Sequence, residues 1–214
     1  MLVAQRVAPD EAINRISTPI ITGLRPNLSA SGPGTIYLMA LPNKSEETDN
    51  IEGAKWTKLI ANTMTMGPIG LTGLKNWDAK DLPGMRELAV RLGRESMAVG
   101  AALGYKLEPV FGLSAEEFAE ANDATLIKAM ETLQAHTGEE SVTAPIHDDV
   151  KGRKSEMNLI NGLVAAKGAE LDIEVICNAA VTEIDRQINE GEIEMDPSNF
   201  GLLKSMVGSI PNRV

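Results

Sequence analysis

A change of hydrophobic period at about residue 51 leaves this chain few folds to choose from. Up to about residue 50 the sequence is rich in Pro, Gly, Asn and Ser, and its β-favouring runs are short. Ser17-Thr18-Pro19-Ile20-Ile21-Thr22 and Thr35-Ile36-Tyr37-Leu38-Met39 read as strands. Between them, Arg25-Pro26-Asn27 and Gly32-Pro33-Gly34 have the chemistry of turns. So short a stretch supplies two or three strands and no complete sheet, and it reads as a fragment of a larger β-containing unit.

From Ile51 onward the apolar residues recur at helical spacing. Trp56, Leu59, Ile60 and Thr63 fall at i, i+3, i+4 and i+7, which predicts a helix over 53–66. Met85, Leu88, Ala89 and Leu92 predict a longer helix ending near Gly104. Gly93, Ser96 and Gly100 on that helix are small enough for a second helix to approach closely. Ser114 followed by Glu116 and Glu117 marks a helix start, an N-cap with acids in the first turn. Leu126, Met130 and Leu133 define the next helix, which ends before Gly138. A loop through Pro145 is expected to lead to Ser155, the cap of a helix with Met157, Ile160, Val164 and Leu171 inward. Val181, Ile184 and Ile188 mark another helix, and Asp196-Pro197 opens the last. The expected architecture is mainly α over residues 51–214, with strand only before about residue 45.

Several functions are disfavoured by composition. The net charge of -10 argues against a general nucleic-acid or anionic-membrane surface, since both need clustered Lys and Arg. No apolar run approaches the roughly 20 residues of a membrane span, and the start of the chain is too soon polar for a signal peptide. Cys177 is the single cysteine, which excludes an intrachain disulfide and makes a cytoplasmic location the expectation. His136 and His147 are the only histidines, too few for a zinc-type site even with Asp148 and Asp149 beside one of them. No metal is expected.

Two segments could carry chemistry. Lys58 and Asn62 stand at i, i+4, on one helix face away from the Trp56 stripe. A lysine beside an amide can protonate or hydrogen-bond a substrate carbonyl, and it can equally be part of a solvated face. In His147-Asp148-Asp149-Val150-Lys151-Gly152-Arg153-Lys154-Ser155-Glu156, acids, bases and a glycine precede a helix N-terminus that favours anions. No Gly-x-Gly-x-x-Gly follows a strand. Gly32-Pro33-Gly34 is no substitute, because proline has no N–H to offer a phosphate.

These segments resemble a known pattern. Lys55-Trp56-Thr57-Lys58-Leu59-Ile60-Ala61-Asn62 is similar to the Trp-x-Lys-Leu-x-x-Asn helix that opens the C-terminal domain of the ketopantoate reductase family. Gly152-Arg153-Lys154-Ser155-Glu156, preceded by Asp148 and Asp149 and followed by Asn161-Gly162, resembles that family's Asp-x-x-x-Gly-Arg-x-Thr/Ser-Glu-x-x-x-x-Asn-Gly segment. Arg94 to Gly104 fits its long helix ending in glycine, and residues 20–41 resemble the last strands of its dinucleotide domain. Order and spacing are kept across residues 15–208.

The resemblance implies a helical C-terminal domain of the 6-phosphogluconate-dehydrogenase-like type over 51–214. Residues 1–50 would be remnant strands of a Rossmann-type dinucleotide-binding domain. It further implies an NADP-dependent reductase of a small 2-oxoacid. Lys58 would be the catalytic proton donor to the 2-oxo group, Asn62 and Asn76 substrate-binding amides, and Glu156 a cofactor contact at the nicotinamide end. Without a phosphate loop, the chain is expected to lack the nucleotide-binding half and not to bind NADP tightly alone. Its expected partners are a second copy or a separate dinucleotide-binding chain. The pattern departs at Met66, where the family often has a second asparagine, and at Ala144-Pro145, where it has a substrate-contacting serine. Both changes remove polar contacts, so a related, more apolar 2-oxo compound is an equal candidate to ketopantoate. The alternative from another class is a non-catalytic helical association module.

Overall fold

The computed structural model describes residues 49–135 and 138–208. The strands expected at 17–22 and 35–39, with nearly all of the 1–50 unit, lie outside the described residues, as do His136 and the Leu133 side chain. The described residues are helical, with one isolated antiparallel bridge between Val110 and Leu113.

The helices are α1 (Ile51–Thr65), α2 (Gly67–Gly70), α3 (Asn76–Ala79), α4 (Met85–Ala102), α5 (Ala115–Glu120), α6 (Asp123–Ala135), α7 (Ala144–Val150), a 3-10 turn (Met157–Leu159), α8 (Asn161–Glu170), α9 (Ile176–Asn189) and α10 (Ser198–Val207). The long helix α4 is the axis. Ala89, Val90 and Val99 face one core with Trp56, Ile60, Met64, Phe118 and Leu126. Met85, Leu88 and Leu92 face a second, with Ile69, Met157, Val181, Ile184 and Leu203. One helix with apolar residues on two sides thus joins both halves of the domain.

The expected close approach to α4 is made by α1. A Cβ on Gly93 would stand 2.6 Å from the Met64 sulfur, and one on Gly100 would stand 2.2 Å from Trp56 Nε1. Between these glycines, Ser96 Oγ lies 3.1 Å from Thr63 Oγ1, and the Ser96 carbonyl accepts the indole N–H of Trp56 at 2.9 Å. The three small residues let the two helix backbones come together and let α4 satisfy the indole.

Local caps set several boundaries. Ser114 Oγ accepts from the Glu117 amide while the Glu117 carboxylate accepts from the Ser114 amide, the reciprocal box that starts α5. Asn122 accepts from the Thr125 amide at the start of α6. At the end of α4, Gly104 takes φ +77°, and the Tyr105 amide reaches back to the Gly100 carbonyl at 3.0 Å.

Three expectations need correction. Pro145 does not lie in a loop, since α7 begins at Ala144 with the proline in its first turn, where a missing N–H costs nothing. Ser155 does not cap a long helix. A 3-10 turn follows it, and α8 starts only at Asn161. Leu171 is 37% exposed, because α8 has ended before it and the chain turns at Asp172 with φ +56°.

Candidate functional site

Asn161 and Pro145 pack on the short helix α2. Its four residues, Gly67, Pro68, Ile69 and Gly70, are all buried, and the two glycines admit neighbours that any side chain would repel. A Cβ on Gly67 would lie 2.6 Å from Asn161 Oδ1, and one on Gly70 would lie 2.9 Å from the Pro145 ring. The proline therefore fills a place beside α2.

Lys58 and Asn62 do not share one solvated face. Lys58 is exposed, whereas Asn62 is 8% exposed and flanked by buried Thr63 and Met64. The last turns of α1 are enclosed on more sides than the Trp56 stripe alone, which the apolar spacing does not report. Among the described residues Lys58 forms no ion pair and the Asn62 amide makes no side-chain hydrogen bond. A lysine free of carboxylate partners, one helical turn from an unengaged amide, can hold a polar oxygen.

Asn76 is more committed. Its backbone N–H donates to the Ser141 carbonyl at 2.9 Å, and its Nδ2 donates to Ser141 Oγ at 3.1 Å. Beside it, the Lys75 ammonium meets Glu140 at 2.6 Å, so residues 75–76 are stitched to 140–141. Asn76 Oδ1 is buried with no partner, and so are Thr143 Oγ1 and Asn161 Oδ1. Asn161 and Thr143 lie against the α2 glycines, and Asn76 is tied to the Thr143 segment through Ser141.

Glu156 is exposed at the mouth of the 3-10 turn. The residue before it is tightly held. Ser155 Oγ donates to the Asp185 carboxylate, the Ser155 amide donates to Asn189 Oδ1 at 2.8 Å, and Asn189 Nδ2 donates to Asp185 Oδ2 at 2.8 Å. Asp185 is only 3% exposed, and burial pushes its carboxyl above the ordinary aspartate range against the opposing bonds from Ser155 and Asn189.

The same helix holds the other end of this segment. Asn161 Nδ2 donates to Asn178 Oδ1 at 2.9 Å, and Asn178 Nδ2 donates to Glu95 at 2.8 Å and to the Leu92 carbonyl at 3.2 Å. Glu95 also accepts the Cys177 and Asn178 amides at 2.8 and 2.9 Å, placing a carboxylate on the N-terminus of α9 where the helix dipole favours it. Cys177 lies fully buried beside it. Desolvation, reinforced by Glu95, pushes its thiol up to about 12.

The structure thus gathers Asn161 at Gly67, close after Asn62 in the chain, and ties Asn76 to the segment leading into α7. Lys58 and Glu156 are both exposed and form no ion pair with one another. Asn161 stands in the family-like segment without a role assigned to it, and Asn178, Asp185 and Asn189 are not singled out from sequence. The signal was available on α9. Asn178, Asp185 and Asn189 fall at i, i+7 and i+11, one helix face beside the apolar Val181–Ile184 stripe. Among the described residues no cluster of His, Cys, Asp or Glu could hold a metal ion, and no helix is long and apolar enough to cross a membrane.

Comparison with known proteins adds the family context. A family model described as the C-terminal domain of ketopantoate reductase PanE/ApbA matches residues 50–189. The 2-dehydropantoate 2-reductase of Archaeoglobus fulgidus is 23% identical over 148 residues, covering 69% of this chain and 44% of the relative. That of Pyrococcus horikoshii is 27% identical over 136 residues, covering 63% and 40%. The crystal structure of a PanE/ApbA family ketopantoate reductase from Ralstonia eutropha JMP134 superposes with a TM-score of 0.56 at 26% identity, covering 68% of this chain and 43% of that one. A dimeric ketopantoate reductase from Staphylococcus aureus shares the fold, with a TM-score of 0.54 at 19% identity over 68% of this chain and 46% of that one. The chain spans less than half the length of each of these relatives.

Proposed function

Because this chain belongs to the family of ketopantoate reductase C-terminal domains, we propose that it is the substrate-side and catalytic half of an NADP-dependent 2-oxoacid reductase. The observation that carries this reading is Lys58, an exposed lysine without a carboxylate partner among the described residues. It stands one turn from the unengaged amide of Asn62, inside the matched segment.

Reduction of a 2-oxo group leaves negative charge on oxygen, and an ammonium within reach neutralises it by donating a proton. Lys58 has that role, with Asn62 and Asn76 as the amides that orient the substrate. Asn76 keeps a second amide N–H for this beside the one given to Ser141. A reduced nicotinamide, when bound, supplies the hydride. The residues described here fit one end of such a cofactor: the exposed Glu156 carboxylate, without a partner among them, can accept hydrogen bonds from its hydroxyl or amide groups. No glycine-rich phosphate loop follows a strand in the sequence, so tight holding of the dinucleotide falls to another domain or chain. Pro145 on Gly70 and Met66 in place of asparagine make a 2-oxoacid more apolar than ketopantoate an equal candidate for the substrate.

The test is NADPH oxidation with a panel of 2-oxoacids. It uses the 214-residue chain alone and the chain supplied, in cis or in trans, with the portion of the Archaeoglobus fulgidus relative outside the matched region. The chain alone is expected to show no measurable turnover and the reconstituted protein to reduce at least one substrate. Lys58→Ala should lower that turnover by about 10²–10⁴-fold without loss of helix content. Full activity in the reconstituted Lys58→Ala protein overturns the catalytic assignment, and robust activity of the isolated chain overturns the division of labour. A reconstituted protein inert towards every 2-oxoacid favours the association-module reading.

A further inference from the structure

Asp185 is a carboxylate at 3% exposure that forms no ion pair among the described residues. Its partners are neutral: the Ser155 hydroxyl and the Asn189 amide. Burying a carboxylate without a positive partner is unfavourable, and burial indeed pushes its carboxyl upward. Packing alone does not call for it, since an apolar residue on that face of α9 would cost less. The group is explained by what it holds.

What it holds is Ser155. Both polar groups of this residue are bound to the last turns of α9, the hydroxyl by Asp185 and the amide by Asn189. Upstream, residues 149–154 are all exposed, and Arg153 pairs only locally with Asp148. Downstream, Met157 is 1% exposed in the core, and the Glu156 carbonyl accepts the Leu159 amide at 2.9 Å. Glu156 therefore sits between a fixed Ser155 and a fixed Met157, its backbone held on both sides while its side chain stays in solvent. Without the Ser155 bonds, the turn bonds of residues 151–153 to Asp148 and Asp149 would be the last hold on the loop before Glu156 among the described residues.

We propose that Asp185 is a positioning residue, acting through Ser155 to fix where the Glu156 carboxylate stands in the reductase site. This rests on the role proposed above for Glu156. Asn189 completes the device by holding both Asp185 and the Ser155 amide. A carboxylate is suited to the position because it accepts from two donors at once, whereas an asparagine there would set an N–H donor against one of them.

The experiment compares Asp185→Ala, Ser155→Ala and Glu156→Ala singly, and each of the first two combined with Glu156→Ala. Ser155→Ala serves as the second route, because it opens the clamp from the partly exposed side and leaves α9 untouched. In the 214-residue chain, hydrogen exchange at the Ser155 and Met157 amides should quicken at least about tenfold in both clamp variants, with α1 and α4 amides unchanged. In the reconstituted enzyme, fluorescence titration with NADPH should show binding weakened roughly tenfold by either clamp variant, as for loss of a hydrogen bond to a charged group. Neither should weaken it further once Glu156 is alanine. Clamp losses that add fully to that of Glu156→Ala, or clamp variants without effect where Glu156→Ala has one, overturn the positioning role alone. A silent Glu156→Ala overturns both this role and the cofactor role of Glu156.

Discussion

Replacing Gly100 by alanine should destabilise this domain, although the same change in an open helix is favourable. An added Cβ would stand 2.2 Å from Trp56 Nε1 and 2.5 Å from Cδ1, so the indole must withdraw by roughly 1 Å to reach ordinary contact. The ring has little room to do so. It is 6% exposed, its centroid lies 5.4 Å from that of Tyr105, and its N–H donates to the Ser96 carbonyl at 2.9 Å. Overpacking of a tight core costs about 1–3 kcal/mol. Drawing the indole off its carbonyl leaves a buried donor unsatisfied, at about 1–3 kcal/mol. The gain from replacing glycine inside a helix offsets at most about 1 kcal/mol. The net expectation is a loss of about 2–4 kcal/mol, a fall in melting temperature of roughly 5–15 °C for a domain of this size. Gly201 provides the control, since it lies inside α10 and an added Cβ meets nothing within 4 Å. Gly201→Ala should raise stability by up to about 1 kcal/mol. Urea and thermal unfolding of both variants decide the matter, and a Trp56→Leu partner tests the coupling. A Gly100→Ala protein as stable as the parent, or one whose loss is unrelieved by Trp56→Leu, would refute the close approach of α1 and α4.

Other changes have expected signs. Glu95→Ala removes the acceptor for two α9 amides and the Asn178 side chain and should cost about 2–3 kcal/mol in urea unfolding, with Glu95→Gln intermediate. Ser114→Ala breaks the capping box of α5 and should cost about 1 kcal/mol by the same measure. Cys177 should resist a thiol reagent at pH 8 in the folded protein and react fully in denaturant, because it is buried and its thiol is pushed up to about 12. A raised thiol pKa means the folded state favours the protonated form. That contribution is present below 9.0, the value taken for a free thiol, and is lost as pH rises towards 12. Cys177→Ser should flatten that alkaline loss, and a pH series of unfolding midpoints checks it.

The helices that proved legible in sequence are those whose apolar stripe faces a single core or whose cap is local. The prediction of 53–66 for α1 met Ile51–Thr65, and the end expected near Gly104 for α4 met Ala102 with its glycine cap. The small residues on α4 were read correctly because Gly93, Ser96 and Gly100 share one face. The short helices α2 and α3 left no such trace. In Gly67-Pro68-Ile69-Gly70, glycine and proline are residues that local propensity counts as breakers. Positions 67 and 70 are glycine because Asn161 and Pro145 need the space a side chain would take. That is a tertiary demand, visible only when the partners are in place.

The candidate site divides the same way. Lys58 and Glu156 could be picked out because each sits in a local pattern that resembles a family motif, and both turn out exposed. What fixes the ground beneath Glu156 is written at long range. Asn161 and Ser155 lie six residues apart, and both are pinned to α9 by side chains from one face, Asn178 at its start and Asp185 with Asn189 at its end. Each of those residues alone reads as ordinary helix surface. Placed at i, i+7 and i+11 beside an apolar stripe they are a buried polar seam, because a buried amide or carboxyl must find a partner and these find theirs on the Glu156 segment. Periodicity applied to polar residues as well as apolar ones would have exposed the seam but not its partners. A motif can therefore point to a candidate residue, while the residues that hold it in place follow from the fold. For this chain the second set, centred on α9, determines whether the exposed carboxylate of Glu156 has a defined position at all.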